Sequence, residues 1–344
     1  MNNLIIIFID SFQPKNQLQF ESIGKLQFKS HWFVTDKNNS HFTQCEILNK
    51  NLFSRITQII NYIIKERTNI HHVEIYPGGR LSFIYSFICL FFNLKILCAE
   101  RGDILYFKKK NEGGYNILFR ISMFITYRTA KMIWYREPYM EEKLKKITKK
   151  KLFFLHNCVR VHPCQSNSKK YDFLWVNRVI TDRRADWLID ILRNKEFTES
   201  KNIIIGLLKN DSQDSKQEEY LIKNKPNNIE FHNYINPVEF YSQSKFFVLP
   251  STIVFANNAL LEAMSYGVVP LISNTQSSYL IVQNGINGFI FDHNKHSFLE
   301  TMLKAKNLSD FEYSALSKNV IQTTKEHFSE EYYLESLNKM YSLI

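Results

Sequence analysis

The chain has 344 residues, 44% hydrophobic and 22% charged, which excludes a disordered chain and leaves room for two domains with a core each. A formal charge of +11 points to anionic partners, with nucleic acid, an acidic membrane surface and phosphorylated substrates all open on charge alone. The five cysteines, Cys45, Cys89, Cys98, Cys158 and Cys164, are odd in number and lack C-x-x-C spacing, which argues for reduced thiols and against a disulfide frame or a zinc site.

Leu4 to Ile9 (LIIIFI) is a continuous apolar run, as expected of a strand covered on both faces. No basic segment precedes it and no small-residue cleavage site follows, so it reads as a first strand and not as a signal peptide. His31 to Thr35 predicts the next strand, and Ile56, Ile59, Ile60, Ile63 and Ile64 mark the buried face of a helix. His71 to Tyr76 predicts another strand, followed by Pro77-Gly78-Gly79-Arg80, which reads as a tight turn or as a backbone approach to an acceptor phosphate. The apolar segment from Leu81 to Phe92 is too short to span a bilayer, which needs about 20 residues, and predicts a buried or interfacial helix. Leu94 to Ala99 is a strand ending at Glu100-Arg101-Gly102-Asp103.

From Lys108 to Lys151 cations interleave with aromatics, among them Tyr127, Trp134 and Tyr135, and few acids offset them. Such a stretch suits an anionic bilayer surface, where each near-surface cation contributes about 1 kcal/mol. A solvated helix face and a nucleic-acid grip are the other readings; no nucleic-acid motif accompanies the stretch, and nucleic acid is not expected as a partner.

Lys151 to Leu155 predicts a strand, Pro163 to Lys170 a polar linker, and Tyr171 to Val176 the first strand of a second domain. Expected boundaries are 1–162 for the first domain, 163–328 for the second and 329–344 for a final helix crossing back to the first. Trp187, Leu188, Ile191 and Leu192 mark a helix, Asn202 to Leu208 a strand and Asn210 to Gln217 a polar loop. Phe246 to Leu249 is a strand, and after a polar loop Asn258 to Tyr266 forms a short helix that Gly267 stops. Strand, loop and helix in that order put the loop at the carboxyl edge of a parallel sheet, where a helix amino terminus suits a phosphate or diphosphate. Glu262 lies one turn into that helix, in reach of a sugar hydroxyl; the plainer alternative is that Asn257 or Asn258 only caps the helix. Beyond Asp292, helices are expected at Ser297 to Ala305, Asp310 to His327 and Glu330 to Leu343.

The run Pro250-Ser251, Leu260-Leu261-Glu262-Ala263-Met264, Gly267, Pro270 and Asn284-Gly285-Ile286-Asn287-Gly288 resembles the nucleotide-sugar site of glycosyltransferase family 4. Those are retaining enzymes of the GT-B fold, in which two Rossmann-like α/β domains face each other across a cleft. Asn177-Arg178-Val179 through Arg183-Arg184-Ala185-Asp186 falls on the family's G-R-L-x-x-x-K-G-x-D, and Ile229 to Tyr234 on its I-x-F-x-G-x turn near the base. The resemblance implies that Arg178 and Arg183 grip the donor diphosphate and steady the leaving group, and that Glu262 holds the ribose. It further implies that Ser251, Asn257, Asn258 and Tyr234 surround the nucleotide. Glu100 or Asp103 would face the acceptor hydroxyl, where the family often has a histidine. Three departures stand out. The family's first glutamate falls on Val254, the glycines after it on Phe255 and Asn257, and Ser11-Phe12-Gln13-Pro14 replaces a glycine pair after the first strand.

The implied activity is transfer of a sugar from a nucleoside diphosphate to a hydroxyl of a saccharide, lipid-linked through a polyprenyl chain, in capsule, O-antigen or lipopolysaccharide assembly. No metal cofactor is expected, because arginines and helix amides neutralise the diphosphate. The expected setting is the cytoplasmic face of the plasma membrane, with the protein peripheral on an anionic membrane surface. A catalytically inactive GT-B subunit that binds a nucleotide sugar or a partner glycosyltransferase is the alternative that Val254 raises.

Overall fold

The computed structural model describes all residues except 1–2, 11–13, 36–44, 78–80, 102–116, 162–168, 208–214, 234, 253 and 255–256. The chain divides into two compact units, Met1–His156 with Leu334–Ile344, and Asn157–Tyr333. The boundary expected at 162/163 lies outside the described residues.

The first unit holds β1 (Leu4–Ile9), α1 (Pro14–Lys25), β2 (Lys29–Val34), β3 (Cys45–Ile47), α2 (Leu52–Glu66), β4 (Ile70–Ile75) and α3 (Ser82–Phe91). It continues with β5 (Ile96–Glu100), α4 (Ile117–Thr129), β6 (Met132–Tyr135), α5 (Met140–Lys145) and β7 (Lys151–Phe154). Its seven strands lie in the order β3-β2-β1-β4-β5-β6-β7, every pairing parallel. Ile5, Ile6 and Ile7 of β1 are each fully buried, because helices cover both faces of a parallel sheet and leave no polar face to alternate with. On α2 the expected apolar stripe turns Ile59 and Ile63 into this core.

The second unit holds β8 (Tyr171–Val176), α6 (Ala185–Leu192), β9 (Asn202–Leu207), α7 (Ser215–Lys223), β10 (Ile229–Asn233), α8 (Val238–Gln243) and β11 (Ser244–Leu249). After these come α9 (Asn258–Ser265), β12 (Val269–Ser273), β13 (Phe289–Phe291), α10 (Lys295–Lys306), α11 (Asp310–His327) and α12 (Glu330–Ser342). The sheet order is β10-β9-β8-β11-β12-β13, again parallel throughout. Counted within each unit, the sheets run 3-2-1-4-5-6-7 and 3-2-1-4-5-6, the Rossmann order with one strand added in the first, so each has a switch point beside its first strand. Those points lie between β1 and β4 and between β8 and β11.

From Leu334 onward α12 belongs to the first unit. There the Tyr341 hydroxyl donates to Glu74 Oε1 at 2.7 Å, and Gln19 Nε2 donates to Oε2 of the same buried carboxylate at 3.3 Å. Tyr341 also packs edge-on against Phe28, centroids 5.5 Å apart. Fastening of this kind is tertiary, and neither Glu74 nor Gln19 announces it in the sequence.

Two readings change. The stretch Lys108 to Lys151 is not one basic face: it contains β6, and Tyr127, Trp134 and Tyr135 are buried, at most 5% exposed. Lys145 and Lys146 pair with Glu141 and Glu142, each at 2.6 Å. Secondly, the polar loop expected to run to Gln217 gives way to α7 at Ser215, whose Leu221 reaches the core.

Candidate functional site

The switch point of the second unit joins two loops. Thr252, after β11, donates its backbone N–H to the carbonyl of Asp182, after β8, at 3.2 Å. Arg178 and Arg183 stand on the β8 side of that junction, Ser251, Asn257 and Asn258 on the β11 side. The Arg178 guanidinium is exposed and has no partner among the described residues. Arg183 ends a single 3-10 turn, Thr181–Arg183, and is half-buried.

That turn is closed by Arg184 in the left-handed region, φ 51°, at the position where the family motif has glycine. A left-handed residue with a Cβ costs roughly 1–2 kcal/mol, and the side chain is held by stacking over Trp187, Cζ 5.1 Å from the ring centroid. Trp187 in turn lies 4.9 Å from the His293 ring, and His293 Nδ1 is 3.1 Å from the Ser273 hydroxyl. Burial, then the Arg184 charge, lowers the His293 pKa. This chain of side chains at the carboxyl edge was not foreseen; only the arginine doubling after Asp182 hinted at it.

Across the junction, Asn257 caps α9: its Oδ1 accepts from the Leu260 N–H at 3.3 Å. The amides of Asn258 and Ala259 have no acceptor among the described residues, and they form the positive end of the helix. Asn258 Oδ1 accepts from Asn157 Nδ2 at 2.6 Å. Ser251 is fully buried, and its hydroxyl has no hydrogen-bond partner among the described residues. A buried hydroxyl in that state is what a bound oxygen or water satisfies.

Glu262 is half-buried on α9, and Oε2 accepts from the Tyr241 hydroxyl of α8 at 3.0 Å. Burial raises its pKa, against the lowering effect of the Tyr241 bond. Val254, on the position of the family's first glutamate, is 1% exposed. An apolar side chain so enclosed offers no carboxylate to a transferred sugar.

Much of the remaining motif is structural. Asn287 is buried; its Oδ1 accepts from the Gln283 N–H at 2.7 Å, and its Nδ2 donates to the Ile281 carbonyl and the Thr323 hydroxyl. At Gly288 a Cβ would lie 2.6 Å from the Pro270 carbonyl oxygen. The Asn-Gly-x-Asn-Gly run thus binds β13 to its neighbours and stands clear of chemistry.

At the switch point of the first unit a cavity of about 500 Å³ opens, lined by Phe8, Asp10, Thr35, Arg55, Tyr76 and Tyr85 among others. Asp10 opens onto the cavity yet has protein on most sides. That desolvation raises its pKa, opposed by the Thr35 hydroxyl and Arg55. Arg55 reaches the Asn49 carbonyl at 2.8 Å and the Tyr85 hydroxyl at 3.5 Å. A polar residue ending the first strand was the one signal in the sequence, since Arg55 and Tyr85 come from separate helices. Glu100, by contrast, is fully buried and accepts from the Tyr127 hydroxyl. It faces inward, and the expectation that it meets an acceptor hydroxyl is withdrawn. Asp103 and Tyr234 lie outside the described residues.

Two Rossmann-ordered units of this kind make up the GT-B architecture of glycosyltransferases. Residues 163–326 match the model of the family described as Glycosyl transferases group 1, which takes in both loops of the switch point. Among curated proteins the chain is similar to the capsular polysaccharide biosynthesis glycosyltransferase CapM of Staphylococcus aureus, 24% identical over 173 residues. That match covers 49% of this chain and 45% of CapM, so the chain spans about half the length of this relative. Among solved structures, Anabaena HepE in complex with UDP and glucose is similar over 99% of this chain and 100% of its own, at TM-score 0.77 and 11% identity. A glycosyltransferase from Rickettsia africae is similar over 99% and 98%, at TM-score 0.78 and 12% identity.

Proposed function

We propose that the protein is a retaining glycosyltransferase that moves a sugar from a nucleoside diphosphate to a hydroxyl of a lipid-linked saccharide in cell-envelope polysaccharide assembly. The observation that carries this is the junction of the β8 and β11 loops. It sets two arginines, the open amides of α9 and the buried Ser251 hydroxyl at one sheet edge, with Glu262 one turn further on. Arg178 and Arg183 supply positive charge where the diphosphate leaves, favouring the transition state over the ground state. The α9 amides bind a phosphate oxygen, and Glu262 accepts from ribose hydroxyls. With Val254 enclosed, the described loop offers no carboxylate nucleophile near the sugar, which fits front-side attack with a diphosphate oxygen taking the acceptor proton. The cavity beside Asp10 and Arg55 is the acceptor's place in this reading. CapM's role in capsular polysaccharide biosynthesis and the UDP and glucose of the HepE complex support the choice of pathway and donor class. The membrane surface enters through the lipid-linked acceptor and the charge of +11.

The enclosure of Val254 also favours a second reading, a GT-B subunit that binds a nucleotide sugar without turnover. A thermal-shift panel of UDP, GDP, ADP and CMP on the wild type and Glu262→Ala tests the donor site. A ligand at a hundred times its Kd adds about 2.7 kcal/mol. One diphosphate should stabilise the wild type and less so the variant, and indifference to all four would remove the donor assignment. Release of free sugar or transfer to an acceptor then excludes the non-catalytic reading.

A further inference from the structure

The helices α3 and α4 carry hydrocarbon on both sides: Ile88, Cys89, Phe119 and Met123 are buried in the core, and hydroxyls share that buried face. On α3 the buried positions include Ser82 and Ser86, and on α4 Ser122 and Thr126. These four hydroxyls bond one another across the helix pair: Ser82 to Ser122 at 2.7 Å, Thr126 to Ser82 at 3.0 Å and Ser86 to Thr126 at 3.4 Å. Further hydrocarbon points the other way. Phe91 is 85% exposed, with Phe87 and Leu90 beside it on α3, and Ile117 is 74% exposed, with Ile121 and Phe124 one and two turns along α4.

A helix on a globular protein ordinarily turns its apolar stripe to the core and its polar face to water. Exposed hydrocarbon gathered on two adjacent helices marks a surface that an apolar phase covers. Three observations choose the phase. Neither helix contains a single acidic residue. The nearby cations adjoin the hydrocarbon: the exposed Arg128 lies over the Phe124 ring, 4.7 Å from its centroid, and exposed Lys95 follows just past α3. Among the described residues no helix is long and apolar enough to cross a membrane.

We propose that the outward face of α3 and α4 docks this protein on a bilayer, its rings and aliphatic chains entering the interfacial layer while Arg128 and Lys95 meet anionic headgroups. Embedded apolar area and headgroup attraction together set the strength of such binding. Leu118, 41% exposed, belongs both to this face and to the lining of the cavity beside Asp10. Docking in this way therefore sets the cavity mouth at the headgroup level, open to the polar end of a lipid-borne ligand. The inference deepens the membrane part of the proposed function and needs nothing from the donor assignment.

The test is co-sedimentation of the full chain with vesicles of phosphatidylcholine containing phosphatidylglycerol, against phosphatidylcholine alone. The wild type should bind the anionic vesicles more strongly than the neutral ones. Phe91→Asp with Ile121→Asp should reduce that partitioning about tenfold or more, as expected for losing two buried apolar side chains. Phe91→Ser, a change at the most exposed ring, guards against misfolding of the double variant, and circular dichroism compares all three. Arg128→Glu should weaken binding to the anionic vesicles alone. Absence of binding by the wild type, or binding untouched by the apolar substitutions, would overturn the proposal. So would a wild type that self-associates in sedimentation velocity while the double variant is monomeric, which would give this face to a second copy. The nucleotide thermal shift reads the second unit separately, so failure there and failure here are distinct.

Discussion

Gly206 governs the loop that presents Arg178. It lies near the carboxyl end of β9 at φ 126°, and a Cβ there would come 1.8 Å from the Asn177 carbonyl oxygen. Replacement by alanine meets backbone on one side and an unfavourable dihedral on the other, and overpacking alone costs roughly 1–3 kcal/mol. Gly206→Ala should therefore lower the urea midpoint and weaken nucleotide binding together; wild-type values of both would mean that the loop does not depend on this close approach. Glu262 makes a prediction of opposite sign. Burial raises its folded pKa above the ordinary 4.5, so its contribution to stability is intact below that value and is lost as the pH rises through the folded pKa. Glu262→Gln should match the wild type in melting temperature near pH 4, exceed it near pH 7 and bind nucleotide less well. A variant no more stable at neutral pH would contradict the assigned cost of the buried carboxylate. The gain in stability with loss of binding is the trade expected of a functional residue.

At the scale of elements, α12 is held to the first unit by a polar contact as well as by packing. Leu337 and Met340 are fully buried, and Tyr341 gives Glu74 one of its hydrogen bonds. Tyr341→Phe removes that donor and leaves a buried carboxylate oxygen short of a partner, which costs about 1–3 kcal/mol. Chemical denaturation should show a loss in that range, and no loss would mean that water replaces the hydroxyl. The apolar face of this helix reads directly from Tyr333, Leu334, Leu337 and Tyr341 at helical spacing, but the acceptor for Tyr341 sits on β4. The helix α9 was likewise legible, from the asparagine that caps it to Gly267, φ 74°, that ends it. Strand β6 was not, because its Met-Ile-Trp-Tyr run is short and lies inside a stretch whose lysines dominate the composition. Periodicity finds which face of a helix is apolar; on α3 and α4, apolar all round, it cannot say which hydrocarbon the core covers and which it leaves exposed.

For the whole molecule, two sheets with separate cores mean that a ligand of one unit protects that unit first. Hydrogen exchange with the stabilising nucleoside diphosphate should slow amides around residues 177–184 and 257–262, while β1 to β7 keep their rates. Protection centred on the cavity beside Asp10 would relocate the donor site. Two parallel sheets followed from the sequence, since apolar runs alternating with amphipathic helices pack in few ways. The motif around Glu262 was legible too, because its glycines, asparagines and cap act through the backbone within a few residues.

What the sequence by itself determined, then, is local: strand and helix identity, the cap and stop of α9, and the family resemblance of the loops after β8 and β11. The tertiary structure alone decided which motif residues stand at the open sheet edge and which hold β13 in place, that Glu100 turns inward to Tyr127, and that Tyr127, Trp134 and Tyr135 belong to the core. It also decided that α3 and α4 expose hydrocarbon as well as burying it. The physical reason is that burial and hydrogen-bond partnership depend on elements distant in the chain, whereas dihedral preference and capping depend on neighbours.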